Sequence, residues 1–296
     1  MEKYAKRQVI LADLGLLLVA IFWGGGFVAG KFALEGLTPL TAVAYRYLGA
    51  TIFIIPFCIV RLKNMTKKTF LAGSVIGVLI VIGTALQTIG LQYTTPGNQS
   101  FIISLYTVIV PIMSWLFLKI KPSPNVMLAA ALALVGITLL TLNENLNIGM
   151  GDWLTFIFAI TFSAQIVFIS ILVKELDPWL ITFTQVTVTA VLAIIAAFLF
   201  ETPSDLMTLP KIAWEGLLYL IVLNTTGAFL LQNICQKIAP ANHTAIILST
   251  ETVFGTIFAI VFAGEIFTKR MITGCIFMIF AIIISELPKK QKQILK

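Results

Sequence analysis

The chain has 296 residues, 59% hydrophobic and only 11% charged, with a mean hydropathy of +1.01 and a net charge of +7. Soluble domains carry about a quarter charged residues, so cytosolic enzymes, secreted disulfide scaffolds, nucleic-acid binders and disordered chains are excluded. The apolar residues run solidly rather than alternating, which excludes a membrane β-barrel. At roughly 20 residues per span, ten helices would take about 200 residues and leave only short loops.

The first apolar run, 9–30, follows Lys3, Lys6 and Arg7. It is too long for a signal peptide and lacks an A-x-A cleavage site, so it reads as a span. It carries Trp23 and the run Gly24-Gly25-Gly26, which suggests a hinge. Gly26-x3-Gly30 permits close backbone approach. The second span, 39–60, opens at Thr38-Pro39, a capping side chain before a proline whose missing N–H costs nothing there. It contains Arg46, and Pro56 predicts a kink. The third span, 70–91, carries Gly73-x3-Gly77 and ends near Gln87. The fourth, 97–118, follows Thr95-Pro96 and contains Tyr106 and Pro111. The fifth covers 125–142. The sixth, 153–173, holds Gln165, and the seventh, 179–200, opens at Asp177-Pro178. The eighth, 212–234, holds Asn224, Gln232 and Asn233. The ninth, 241–263, holds Glu251 and, near its start, the only histidine, His243, which suits capping or packing. The tenth covers 271–287. Cys58, Cys235 and Cys275 fall in apolar segments without metal-type spacing and read as small apolar fillers.

Loop charges orient the bundle. With the N-terminus inside, 15 Lys and Arg fall in inner segments and 4 in outer ones, leaving Arg46 within a span. Both termini are therefore expected on the cytoplasmic side of a cell membrane.

The chain also matches itself. Shifting by 139 superposes Asp13 on Asp152, Leu37 on Leu176 and Pro39 on Pro178. Shifting by 144 superposes Gly83 on Gly227, Gln92 on Gln236, Pro96 on Pro240 and Asn98 on Asn242. Gln-x3-Pro-x-Asn is not an apolar coincidence. The expected organisation is a repeat in 1–146 and another in 147–296. Five spans per repeat is an odd number, so the second repeat enters the membrane inverted. The expected fold is an all-α membrane protein of ten transmembrane helices, two inverted five-helix repeats around a central cavity.

These residues resemble the drug/metabolite transporter superfamily, specifically its EamA-type ten-span carriers, over nearly the whole chain. The resemblance rests on Phe22-Trp23-Gly24-Gly25-Gly26-Phe27 with Gly30-Lys31, Tyr45-Arg46-Tyr47 and Gly90-Leu91-Gln92-Tyr93-Thr94-Thr95. It extends to Thr250-Glu251-Thr252-Val253-Phe254-Gly255 and Gly264-Glu265. Two departures are Thr252, where a proline usually follows the intramembrane glutamate, and Lys119-Ile120-Lys121, where Gly-Glu is common. The resemblance implies transport, often export of amino acids or other small metabolites.

Two charges sit deep in spans, where each is expensive. Arg46 lies about 12 Å from Thr38 and Glu251 roughly 16 Å from Pro240, at helical rise. Glu251 reads either as a titrating group or counter-charge, or as a hydrogen-bonded glutamate pinning helices. Arg46 suits a structural ion pair or carbonyl clamp better than substrate contact. Helical phase places Thr244, Glu251 and Gly255 on one face of the ninth span, and Ser100, Ser104 and Thr107 on the matching face of the fourth. Such stripes can line a cavity or bridge helices. Gln87, Gln165 and Asn224 lie within spans and must face protein or water. Trp23 and Tyr106 could stack on a ring or cation. The substrate candidates are thus Trp23, Gln87, Tyr106, Gln165, Asn224 and Glu251, with Arg46 and Glu251 as coupling or structural charges.

The sequence has no Walker loop, catalytic triad or metal cluster pattern, so no enzyme chemistry, ATP use, cofactor or metal is expected. The expected partners are a small-molecule substrate and the lipid bilayer, with no nucleic acid and the chain acting as a monomer. The preferred function is an alternating-access exporter of amino acids or related zwitterions. The alternative is a proton-coupled exporter of cationic amphipathic compounds. A membrane enzyme or flippase would need paired polar groups near one interface. Tags at residues 145–150 and at the C-terminal tail are expected on opposite membrane faces; a same-face readout eliminates the inverted arrangement.

Overall fold

The computed structural model describes residues 6–94, 99, 102–119, 121–141, 149–263 and 268–286. Its longer elements are all helical: α1 (Lys6–Ala33), α2 (Pro39–Cys58), α3 (Lys67–Gly90), α4 (Tyr106–Leu118), α5 (Pro124–Thr141), α6 (Met150–Leu172) and α7 (Pro178–Phe200). They continue as α8 (Lys211–Cys235), wound as a π-helix over Leu220–Gly227, then α9 (Ala241–Leu248), α10 (Glu251–Ala263) and α11 (Lys269–Glu286). Among the described residues, seven helical runs are long and apolar enough to cross a membrane. Shorter apolar helices stand where the sequence places its fourth, fifth and tenth spans. Residues 97, 98, 100 and 101 of that fourth span and both chain ends lie outside the described residues.

Large apolar side chains such as Ile52, Phe57, Trp115, Phe198 and Ile279 point outward and are exposed. Such a belt is a liability in water and natural in hydrocarbon, where interhelical contact rests on close packing and hydrogen bonds. α2 packs along α7, and α5 along α11. α3 packs on α6 and α1 on α8, while α4 packs on α6 and α1 on α10. The core contains Trp23, Tyr47, Tyr106, Phe162 and Phe229.

The α2–α7 pair is tied at both ends. Thr38 does not cap its own helix as the Thr-Pro signal predicts. Glu201, just past α7, accepts from the backbone N–H groups of Leu40 and Thr41, both at 3.0 Å, and from the Thr38 hydroxyl at 2.5 Å. A carboxylate there meets unpaired N–H groups and the positive end of the helix. Asp177 does cap its own helix, accepting from Trp179 N at 2.9 Å, and pairs with Arg61 beyond the end of α2 at 3.0 Å.

In this conformation α1 continues unbroken through the glycine run. These residues are contact positions. A Cβ on Gly25 would lie 2.1 Å from the Tyr219 hydroxyl, and one on Gly26 would lie 2.1 Å from Asn224 Nδ2. The Gly73-x3-Gly77 expectation holds: a Cβ on Gly77 would sit 2.8 Å from the Gln185 carbonyl of α7. Overpacking of this kind costs about 1–3 kcal/mol. Gly25→Ala should therefore lower thermal stability in detergent, and Tyr219→Phe in the same chain should recover part of the loss. Equal melting of Gly25→Ala and wild type would show that the contact is unimportant.

Candidate functional site

The π segment of α8 carries the densest polar contacts. A π turn closes hydrogen bonds five residues apart and widens the helix. Here Asn224, Thr225 and Thr226 are consecutive and all buried. Asn224 joins three helices. Its Oδ1 accepts from Arg46 Nη2 at 2.7 Å, its Nδ2 donates to the Phe22 carbonyl at 2.8 Å, and its backbone carbonyl accepts from the Trp23 indole at 3.0 Å. Thr225 Oγ1 accepts from Arg46 Nε at 2.6 Å. Tyr219 donates to the same Phe22 carbonyl at 3.1 Å. Arg46 is half-buried, with its guanidinium carbon 5.1 Å from the Tyr47 ring centroid. No carboxylate among the described residues pairs with it.

Glu251 stands on a second irregularity. The ninth-span segment breaks between α9 and α10 at Ser249–Thr250. Both hydroxyls donate back to carbonyls three residues earlier, Ile246 and Ile247, at 2.7 Å. Such back-bonding competes with regular helix. Glu251 is then the first residue of α10, where the helix dipole favours its negative charge. It is 5% exposed and makes no ion pair among the described residues. The fourth-span segment has a similar turn at Ser104–Leu105, directly before Tyr106.

A cavity with about 650 Å³ of empty space, part of it open, lies between these features. Trp23, Gln87, Gln165, Asn224 and Glu251 all line it, and so does Arg46. Tyr106 does not. It is fully buried behind Phe162, with ring centroids 5.0 Å apart. Asn224 and the Trp23 indole are committed to helix contacts, whereas the Gln87 side chain is unpaired among the described residues. Gln165 donates to Gln232 at 3.3 Å.

Of the two readings of the polar stripes, helix bridging holds for Ser104, and cavity lining needs correction. It assumed an unbroken helix, and the turn before Glu251 shifts the phase. Ser104 and Thr107 are fully buried outside the cavity, and Ser104 bridges to Thr252 at 3.0 Å. Ser100 lies outside the described residues. The sequence reading also missed the aromatic wall: Tyr47, Phe158, Phe162 and Phe229. Trp23 meets Phe162 and Phe229 edge-on, at 5.3 and 5.8 Å between centroids. The spacing Phe158, Phe162, Gln165 on one face of α6 was the available signal.

The EamA-like transporter family matches this chain twice, over residues 10–142 and 149–287. The chain belongs to the EamA-like transporter family. An Archaeoglobus fulgidus protein named an uncharacterized transporter is 34% identical over 283 residues, covering 94% of this chain and 86% of its own length. The Bacillus subtilis uncharacterized transporter YyaM is 24% identical over 241 residues, covering 78% of this chain and 79% of its own. One solved crystal structure shares the fold with a TM-score of 0.78 at 14% identity, over 93% of this chain and 96% of the other.

This EamA-like protein is thus a multi-pass membrane transporter, and its cavity holds a guanidinium and a carboxylate that are not paired with each other. Those two charges, uncommitted amides and an aromatic wall can hold a small polar molecule with an apolar part. Removing the Asn224 side chain would strand Arg46 Nη2 and leave the Phe22 carbonyl to Tyr219. Asn224→Ala should cost about 1–3 kcal/mol, the usual penalty for leaving buried polar groups unpaired. Unfolding in detergent measures this, and a loss near zero would mean that the three-helix junction contributes little.

Proposed function

We propose that this protein is a secondary carrier of small metabolites, exporting amino acids or related zwitterions by alternating access. The observation that carries this reading is the cavity shared by Arg46 and Glu251, which do not neutralise each other. A zwitterion would satisfy both, its carboxylate at Arg46 and its ammonium group at Glu251, with the side chain against Phe158, Phe162 and Phe229. Bidentate recognition of a carboxylate suits a guanidinium. Arg46 Nε and Nη2 already hold Thr225 and Asn224, so the guanidinium is pre-oriented.

In this reading the carrier consists of inverted repeats 1–146 and 147–296, lies in the cytoplasmic membrane and has both ends in the cytoplasm. Three observations support the repeat. The family matches once in each half. The helix interruptions at Ser104–Leu105 and Ser249–Thr250 are 145 residues apart (249 − 104), within one residue of the sequence offset. The packing pairs also exchange under that offset: α3 on α6 with α8 on α1, and α4 on α6 with α10 on α1.

The alternative, a proton-coupled exporter of cationic amphipathic compounds, draws support from Glu251, which makes no ion pair among the described residues. Arg46 in the same cavity counts against it, because like charges repel across a low-dielectric space. Counterflow of labelled amino acids in proteoliposomes separates the readings. Arg46→Gln should weaken zwitterion uptake about 10- to 100-fold, the loss of one charged hydrogen-bonding partner. Glu251→Gln should weaken it comparably and spare anionic analogues that lack the amine. Undiminished amino-acid counterflow in both variants would overturn the zwitterion reading.

A further inference from the structure

The cavity between Arg46 and Glu251 is continued on one side. A second recess, with about 510 Å³ of empty space, shares Gly26, Phe27, Arg46 and Gln87 with it. It continues past Gly30, Leu34, Val43 and Leu91, toward the end where α1 and α3 finish and α2 begins.

The sequence offsets give wall residues from the first half images in the second half. Adding 139 carries Gly26, Gly30 and Arg46 onto Gln165, Ile169 and Gln185. Adding 144 carries Thr88, Leu91 and Gln99 onto Gln232, Cys235 and His243. All six images are buried, none more than 5% exposed, and Cys235 and His243 lie beside Gly15 and Asp13 near the start of α1, opposite the recess at its finish. The recess at one end therefore has a collapsed counterpart at the other.

The collapsed region is not packed as a permanent core would be. Gln165 donates to Gln232 at 3.3 Å, Asn233 to Thr182 at 2.8 Å, and Gln236 to the Ile166 carbonyl at 3.0 Å. The other halves of these amides have no partner among the described residues: Gln232 Nε2, Asn233 Oδ1 and Gln236 Oε1, joined by Gln185 Nε2. Four unpaired polar atoms at one end are expensive to keep dry. They suit a surface that is dry in one conformation and wetted in another. At the same end Asp13 of α1 meets His243 of α9 at 2.7 Å, closing the seam between the halves.

We propose that these residues form the second access route of the carrier, held shut in this conformation by the Asp13–His243 contact and the amide cluster. The inference rests on the inverted-repeat carrier reading. As the route opens, the Asp13–His243 contact breaks, the amides gain water, and the recess beside Arg46 closes.

Native Cys235 reports on this route, and Leu91→Cys reports on the open recess, both in a chain carrying Cys58→Ser and Cys275→Ser. Labelling by a membrane-impermeant methanethiosulfonate reagent is measured in vesicles of each orientation. Asp13→Ala should raise Cys235 labelling several-fold and lower Leu91→Cys labelling. Gln232→Leu, which removes the unpaired Nε2 from the closed state and leaves the Gln165 amide to the cavity it lines, should shift both in the opposite direction. A rise at both cysteines means general loosening, and an unchanged Cys235 means that the route lies elsewhere; either result overturns the proposal. Amino-acid counterflow by the wild-type protein is measured in parallel. If it persists, such a result removes only this route, and if it is absent, the carrier reading itself fails.

Discussion

The architecture depends on one requirement: a polar group within hydrocarbon must find its partner inside the protein. Asn224 meets that requirement for three helices together, taking an N–H from Arg46, giving one to the Phe22 carbonyl and receiving the Trp23 indole on its own carbonyl. The π winding of α8 allows it to do so, and Gly26 makes room for its amide. A charge that would otherwise be costly at this depth becomes an oriented group at the edge of a cavity.

The rest of the bundle divides into parts that look fixed and parts that look able to separate. Between α2 and α7 the contacts sit at helix ends, where Glu201 and the Arg61–Asp177 pair satisfy unpaired backbone groups or charges. Small residues let α3 approach α7 closely, and Thr189 donates to the Gly77 carbonyl at 3.0 Å. The second-half amide cluster is different, because its side chains are only partly satisfied. Under the proposed alternating access, this partial satisfaction lowers the cost of exchanging protein contacts for water on the side that opens. The first half has a recess in the corresponding place, lined by glycine, alanine and valine beside Arg46.

The cavity combines the two deep charges with aromatic walls. Each charge is placed by an irregularity in a helix rather than by a regular turn: Arg46 through the π segment it bonds, and Glu251 through the break at Ser249–Thr250. Irregular backbone at membrane depth is tolerated where it is buried in protein or lines a wet space. The deepest polar side chains therefore gather where the helices are least regular.

Much of this was legible in the sequence, for physical reasons. Apolar runs of span length report burial in lipid directly, and the intramembrane polar residues Trp23, Gln87, Gln165, Asn224 and Glu251 stood out because each must face protein or water. Their convergence on one cavity followed from that constraint. What the sequence could not convey was how each group is satisfied. Asn224 and Trp23 are committed to helix junctions, Tyr106 lies behind Phe162, Glu201 rather than Thr38 caps α2, and Gly25 and Gly26 serve close contact. These outcomes depend on which helix lies opposite at a separation of a few ångströms. Local pattern determined that these residues turn inward; only the tertiary packing, through partners far away in the chain, decided which became struts and which remained free to meet a substrate.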